Sequence, residues 1–174
     1  MELPKGKIDE YYMNCALELA RNGRRCSPNP RVGCVVVRDG VIIGRGWHKI
    51  CGGPHAEVEA VRDAGGDIAE ADVYVTLEPC SHYGRTPPCA DMLVAHRPRR
   101  VVAGMADPNP RVAGRGLEKL RAAGVEVKCG LLEDECRWMN RGFIRRMSMG
   151  RPWVTVKCAA SLDGKTALAG GESK

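Results

Sequence analysis

Two segments of the chain hold three soft metal ligands and one carboxylate. The first is Pro54-His55-Ala56-Glu57, and the second runs from Glu78-Pro79-Cys80 to Cys89. One imidazole and two thiolates suit Zn²⁺, and three protein ligands leave the fourth tetrahedral position to water, as catalytic zinc sites do. Glu57 then stays available for proton transfer. The spacing therefore predicts metal-assisted hydrolysis, with His55, Cys80 and Cys89 as the zinc ligands.

The charge of this ligand set explains why an acid is needed beside it. Two thiolates formally neutralise the zinc, so its bound water should be less acidic than at a site of three neutral histidines. We expect Glu57 to accept the proton of that water and to return protons to a ring nitrogen and to departing ammonia. His-x-Glu followed by Pro-Cys and a later Cys is the pattern of zinc-dependent base deaminases.

One feature departs from the short deaminase signature, because eight residues separate Cys80 from Cys89. The loop between them must double back to bring both thiolates to one metal, and its glycine and prolines suit such a turn. The alternative interpretation is a structural zinc site with four protein ligands. In that case Cys51, His48 or His82 supplies a fourth ligand, and Glu57 is only an acid at a helix start.

Helix starts should position these ligands. Gly52-Gly53-Pro54 predicts a helix from Pro54 to about Ala64, which places His55 and Glu57 in its first turn. Residues two apart on a helix do not share a face, so both meet one metal only beyond the helix end. Pro87-Pro88 predicts that Cys89 opens the next helix. Two helix N-termini facing the thiolates would stabilise their negative charge.

The rest of the chain predicts a three-layer α/β/α domain with a mixed, mostly parallel central sheet. Asp39-Gly40 between two apolar runs indicates a hairpin, and the alternating helices and strands that follow favour parallel strands with helical crossovers. The predicted strands are 32–37, 41–47, 73–76, 100–104 and 125–129, and the predicted helices are 9–22, 54–64, 88–96, 117–123 and 133–147.

The C-terminal part should be separate from this domain. We predict a zinc-dependent domain over 1–147, a linker over 148–152 from its composition, and a new strand over 153–159. The strand lies in a Gly-rich segment with no helix to cover it. An unpaired strand needs another chain or a further domain as a partner, so we expect a homo-oligomer.

Composition and charge indicate which classes of binding partner to expect. The net charge of +6 admits either a nucleic acid or an anionic small molecule. The basic residues are dispersed and aromatic residues make up 5% of the chain, so we expect a small-molecule substrate and no nucleic acid. No apolar run is long enough to cross a membrane. The odd number of nine cysteines and the polar N-terminus favour a reducing compartment, the cytoplasm.

Longer motifs carry a family resemblance from about Tyr11 to the end. His55-Ala56-Glu57-Val58, the run from Thr76 to Cys89 (TLEPCSHYGRTPPC), Asp107-Pro108-Asn109-Pro110 and the following VAGRG resemble the bifunctional riboflavin-biosynthesis pyrimidine deaminase/reductase family. The long loop between the cysteines is itself a trait of that family. The resemblance implies a cytidine-deaminase-like fold and hydrolytic deamination of 2,5-diamino-6-(5-phosphoribosylamino)pyrimidin-4(3H)-one at its 2-amino group.

The resemblance also implies roles for individual residues. It makes His55, Cys80 and Cys89 the ligands of one Zn²⁺ per chain and Glu57 the proton shuttle. It places the phosphorylated pyrimidine against Asn29, His48, His82, Arg85, Asp107 and Asn109. These residue types suit the task, since amides and a carboxylate can read a pyrimidine edge and a guanidinium suits a phosphate. Alternatively, Asn29 and Asn109, each between prolines, shape turns, His48 ends a strand, and Asp107 caps a loop.

The segment 153–174 resembles the truncated start of the family's reductase domain. Ala160-Ser161-Leu162-Asp163-Gly164-Lys165 matches its opening, and Lys157 matches a reductase-site lysine. The nicotinamide-binding domain is not in this sequence, so we expect no reductase activity from this chain and a role for NADPH only if that domain were present.

Two other functions stay open. One is a deaminase of nucleosides or tRNA bases, which shares the zinc chemistry but usually has the short Cys-x-x-Cys spacing. The other is a zinc-stabilised interaction module without turnover. The eight-residue loop argues against the first, and the ligands around the metal would decide the second.

Overall fold

The computed structural model describes residues 5–84, 87–109 and 112–172, and its centre is one five-stranded sheet. The strands are β1 (Gly33–Arg38), β2 (Val41–Trp47), β3 (Asp72–Val75), β4 (Arg100–Ala103) and β5 (Glu126–Cys129). Their order is β2-β1-β3-β4-β5. β1 is antiparallel to both of its neighbours, whereas β3, β4 and β5 are parallel. Four strands therefore run in one direction, as the predicted mixed sheet requires.

The helices cover both faces of this sheet. They are α1 (Lys5–Arg21), α2 (Ala56–Asp63), α3 (Cys89–His96), α4 (Arg115–Ala122), α5 (Glu133–Met139) and α6 (Arg141–Met149). A Cβ on Gly33 would meet the backbone of α1, and one on Gly46 would meet that of α2. Gly46 is paired with Cys34, the residue after Gly33, so the two glycines face opposite sides of the sheet. The predicted three-layer α/β/α architecture is confirmed.

The backbone of α2 lies directly on β2. A Cβ on Gly46 would come within 2.2 Å of the Ala56 carbonyl oxygen and 2.4 Å of the Ala60 nitrogen. Only a residue without a side chain permits that approach. Gly46 therefore sets the distance between the sheet and the first turn of α2.

A buried ion-pair network joins α1 to the sheet. Arg100 donates to both carboxylate oxygens of Asp9, at 3.0 and 2.8 Å, and to Asp72 at 2.7 Å. The Tyr74 hydroxyl donates to Asp9 at 2.6 Å. Burial opposes ionisation of Asp9, but the hydrogen bonds and charge of Arg100 outweigh it and lower the pKa of that carboxyl. The ionised form of Asp9 therefore stabilises the folded protein.

The structure corrects the C-terminal predictions. The single helix predicted over 133–147 is two helices, α5 and α6, separated at Asn140. Residues 148 and 149 belong to α6, so the predicted linker 148–152 begins inside a helix. The strand predicted over 153–159 does not form, because within the described ranges no strand lies beside it and its residues are exposed.

None of the helices within residues 5–84, 87–109 and 112–172 is both long enough and apolar enough to cross a membrane.

Candidate active site

His55 stands at the N-terminus of α2 and faces two thiols. Its backbone is extended, with φ −75° and ψ 164°, so it is the N-cap and the helix begins at Ala56. The helix was predicted to begin at Pro54, and this start was wrong by two residues. Nδ1 of His55 lies 3.5 Å from Cys80 Sγ and 3.3 Å from Cys89 Sγ. The imidazole thus points beyond the helix end, towards the thiols.

The loop after β3 brings the two cysteines together. Cys80 lies in this loop and Cys89 is the first residue of α3. The Cys89 N–H donates to Cys80 Sγ at 3.3 Å, and the Ala90 N–H donates to the Cys80 carbonyl at 3.1 Å. The predicted return of the loop is therefore present, and the backbone itself holds the two thiols side by side.

The protonation of the thiols reflects this proximity. Hydrogen bonding from Cys89, with further help from His55, lowers the pKa of the Cys80 thiol to about 4. The same pairing, together with burial, raises the pKa of Cys89, and the hydrogen bond to Cys80 raises the pKa of His55. The cluster thus favours a thiolate at Cys80 beside a protonated Cys89.

This cluster fits zinc. The ligand atoms of His55, Cys80 and Cys89 all lie within 4.8 Å of one another, and both thiols are free of disulfides. Zinc–nitrogen and zinc–sulfur bonds at tetrahedral angles separate the nitrogen and sulfur atoms by about 3.5 Å. The observed separations of 3.3 and 3.5 Å agree with that value. The arrangement can therefore hold a tetrahedral metal with one position left over.

Glu57 lies beside the cluster and is removed from solvent. It belongs to the first turn of α2, and only 3% of its surface is exposed. Burial raises the pKa of its carboxyl to about 7, against the opposing effect of the His55 charge. A carboxyl with such a pKa can both accept and donate a proton near neutral pH.

A cavity of about 390 Å³ opens in front of these groups. Its wall includes most of the predicted substrate contacts, namely Asn29, His48, His82, Asp107 and Asn109, together with His55, Glu57 and Cys80. Arg85, the predicted phosphate contact, lies outside the described residues. The structure therefore gathers five of the six predicted contacts around one pocket.

His48 is held by the protein on both ring nitrogens. Nδ1 lies 2.9 Å from the Pro54 carbonyl, which can only accept, so Nδ1 carries the proton. Nε2 then accepts from the Asn29 side-chain amide at 3.2 Å. Burial lowers the pKa of His48, which favours the neutral ring. This pair fixes the orientation of the Asn29 carboxamide at the pocket wall.

Asp107 borders the pocket from the loop after β4. Its Oδ1 accepts the backbone N–H of Asn109 at 2.8 Å, which shapes the turn between the two residues. Burial raises the pKa of Asp107 to about 6. The turn-forming role that the sequence left open and a place at the pocket are thus compatible.

Glu78 was not selected from the sequence, although it connects the loops around the pocket. Its buried carboxylate accepts three backbone N–H groups at 2.9 Å, from Asp107, Gly114 and Gly116. A Cβ on Gly116 would lie 2.0 Å from the Pro79 carbonyl oxygen, so α4 begins against the backbone next to Cys80. Glu78 therefore ties the loop of Asp107 and the start of α4 to the metal-binding loop.

Asn140 and Phe143 were also missed. The Asn140 amide accepts from the Arg31 N–H at 2.8 Å and donates to the Arg31 carbonyl at 2.9 Å, which anchors the loop that carries Asn29. Phe143, on α6, lines the pocket. Phe143 is the one phenylalanine in the sequence, but nothing in its neighbourhood pointed to a pocket formed around His55 and Glu57, far earlier in the chain.

Comparison with known proteins gives the class. Residues 6–105 match the family model of the cytidine and deoxycytidylate deaminase zinc-binding region. The chain therefore belongs to this family of zinc-binding deaminases. The fold agrees with this class, because the chain superposes on a structure described as dCMP deaminase from a cyanophage, with a TM-score of 0.59 at 24% identity.

Within that family, similar proteins are named for riboflavin biosynthesis. The chain is 57% identical over 167 residues to riboflavin biosynthesis protein RibD of Escherichia coli. The aligned residues cover 95% of this chain and 46% of the relative. An Acinetobacter baumannii RibD structure has a TM-score of 0.90 at 52% identity, covering 98% of this chain and 48% of that one.

A Thermotoga maritima structure agrees with this comparison. It is described as a diaminohydroxyphosphoribosylaminopyrimidine deaminase/5-amino-6-(5-phosphoribosylamino)uracil reductase. Its TM-score is 0.93 at 45% identity, covering 98% of this chain and 50% of that chain. The chain thus spans about half the length of these relatives, and the resemblance to the deaminase part of RibD is confirmed.

Proposed function

We propose that this chain catalyses the zinc-dependent hydrolytic deamination of 2,5-diamino-6-(5-phosphoribosylamino)pyrimidin-4(3H)-one at its 2-amino group. The observation that carries the proposal is the His55-Cys80-Cys89 cluster with buried Glu57 beside it, facing one pocket. The names of the relatives support the choice of substrate.

His55, Cys80 and Cys89 would hold the metal, and Asn29, His48, His82, Asp107 and Asn109 would surround the pyrimidine. Zinc, when bound, supplies the Lewis acidity that makes a water molecule nucleophilic. Arg85 keeps its predicted role at the phosphate. His48 acts here mainly through Asn29, because its own nitrogens are already hydrogen-bonded.

Glu57 moves the protons. Its carboxylate accepts a proton as water oxygen bonds to the ring carbon that carries the amino group. It delivers that proton to the ring nitrogen, then takes the second proton from the new hydroxyl group and passes it to the amino nitrogen. The carbon–nitrogen bond breaks as the carbonyl forms, and ammonia is released. The raised pKa of Glu57 suits both directions of transfer. Burial of the carboxyl also keeps bulk water away from these protons.

The test compares Glu57→Gln with Glu59→Gln. Both lie on α2, but the Glu59 carboxylate pairs with Lys49 and Arg62 near the surface. Glu57→Gln should lower the kcat of ammonia release by about 10²–10⁴-fold with zinc content unchanged, whereas Glu59→Gln should keep normal turnover. Normal turnover by zinc-loaded Glu57→Gln would show that the proton shuttle is assigned wrongly.

A substrate panel separates this proposal from its rivals. Ammonia release is measured from the diaminopyrimidine phosphate, from cytidine and from an RNA stem-loop. Release from the first alone is expected. Preference for cytidine or RNA would replace the substrate assignment, and no release from any of them by zinc-loaded protein would favour a zinc-stabilised module.

Although the first two residues of the predicted linker 148–152 belong to α6, the division into a deaminase domain over 1–147 and the start of a reductase domain over 153–174 remains a prediction. The same holds for a homo-oligomer and for the absence of NADPH-dependent reduction by the chain itself. Sedimentation analysis tests the first of these two properties, and an NADPH oxidation assay with the deaminated product tests the second.

A further inference from the structure

A second cavity of about 400 Å³ lies next to the zinc pocket, between the loop after α1 and the helices α5 and α6. Four arginines line it: Arg24, Arg31, Arg141 and Arg146. No aspartate or glutamate belongs to its described wall. We call this cavity the arginine groove.

The positive charge of the arginine groove is not compensated within the chain. In the part of the chain that the structure describes, none of its four arginines forms an ion pair with an acid. Elsewhere on the surface, arginines such as Arg62 and Arg137 do pair with a glutamate. Like charges that converge on one cavity repel each other and attract an anion.

One of the four guanidinium groups is held in place. Arg141 lies 4.3 Å from the centre of the Trp138 ring and 5.7 Å from that of Trp153, and the two indoles pack edge to face. Its Nη1 also donates to the Trp138 carbonyl at 2.8 Å. A guanidinium fixed in this way loses little conformational freedom when an anion binds.

The arginine groove is continuous with the zinc pocket. Pro28, Asn29 and Phe143 line both cavities. Its volume is that of a small-molecule site, and a guanidinium fork matches the geometry of phosphate oxygens. We propose that the arginine groove binds the phosphate group of a small phosphorylated ligand beside the zinc pocket. This binding does not require turnover.

The test uses ribose 5-phosphate as the probe and ribose as the control without phosphate. Arginine Nε–H and backbone signals of ¹⁵N-labelled, zinc-loaded protein are followed during NMR titration. Ribose 5-phosphate should shift the signals of Arg141 and its neighbours, and ribose should not. The shifts should weaken as salt is raised, because the other arginines are partly solvated.

Arg31→Gln/Arg146→Gln is the variant, and Arg45→Gln/Arg121→Gln removes the same charge from exposed sites outside the groove. The groove variant should bind ribose 5-phosphate about tenfold more weakly, and the control should bind like the unaltered protein. The Arg31 backbone bonds to Asn140 do not involve the replaced side chain. Equal affinity in both variants, or no shift of Arg141 in the unaltered protein, would overturn the proposal.

A kinetic measurement then identifies the source of the phosphate. If the groove variant raises KM for the diaminopyrimidine phosphate but not for the same compound without phosphate, the groove holds the phosphate of the substrate. If KM is unchanged while ribose 5-phosphate binding is lost, the ligand is a separate phosphorylated molecule. Both results support a phosphate site, and failure of deamination itself leaves the NMR result standing.

Discussion

Replacement of Glu78 by glutamine should disturb both stability and substrate binding, because Glu78 lines the pocket and its carboxylate ties the surrounding loops together. Its carboxylate accepts three backbone N–H groups, a buried one from Gly116 and two half-buried ones from Asp107 and Gly114. A carboxamide has one oxygen, which can serve either the Gly116 N–H or the Asp107 and Gly114 pair. Whichever orientation it adopts, at least one N–H loses its acceptor and faces an NH₂ group.

The magnitude follows from these contacts. One buried donor without a partner costs about 1–3 kcal/mol, and loss of the charge weakens the hydrogen bonds that remain. Glu78→Gln should therefore lower the free energy of unfolding by about 2–4 kcal/mol. The loop of Asp107 also loses its anchor. The resulting displacement of the pocket wall should lower kcat/KM roughly tenfold to a hundredfold.

The assay pairs urea unfolding with steady-state kinetics, both on zinc-loaded protein at a temperature where the variant is folded. Because the effect acts on the pocket wall, KM should rise more than kcat falls. Glu118→Gln, an exposed acid in the first turn of α4, is the matched control and should change neither. Unaltered KM in fully folded Glu78→Gln would refute the idea that Glu78 positions the pocket.

Two further predictions concern stability. Asp9→Asn should flatten the acid dependence of unfolding: the lowered pKa of Asp9 means that its contribution is present above its ordinary value of 3.8 and is lost as pH falls through the folded pKa. Urea midpoints between about pH 2 and 5 measure this, and equal slopes in variant and parent would contradict it. Asn140→Ala removes both bonds to the Arg31 backbone and should cost about 1–3 kcal/mol. Thermal unfolding beside exposed Asn22→Ala tests this, and equal losses would place the effect elsewhere.

The sequence predicted the elements that obey a single strong pattern. The predicted strands 32–37 and 41–47 pair as a hairpin as expected, because two apolar runs and the turn dipeptide Asp39-Gly40 indicate the same structure. The His55, Cys80 and Cys89 cluster also followed from residue type and spacing, since few other chemistries use that ligand set.

The features that were missed depend on contacts between distant parts of the chain. The predicted C-terminal helix divides at Asn140, whose side-chain amide bonds the backbone of Arg31 more than 100 residues away. Glu78 looked like part of a motif, and its three partners come from segments 29 to 38 residues further on. No local pattern encodes such partners, so they could not be predicted before the fold was known.

The close contact between Gly46 and α2 bears on how this scaffold can change its substrate. Because the first turn of α2 rests on the sheet backbone, His55 and Glu57 cannot shift without moving β2. The opposite wall is made of loops that are held by hydrogen bonds, such as those between Glu78 and the segment 107–116. Selection for a new base or a new substituent can therefore act on loop length and composition while the proton-transfer geometry is inherited unchanged.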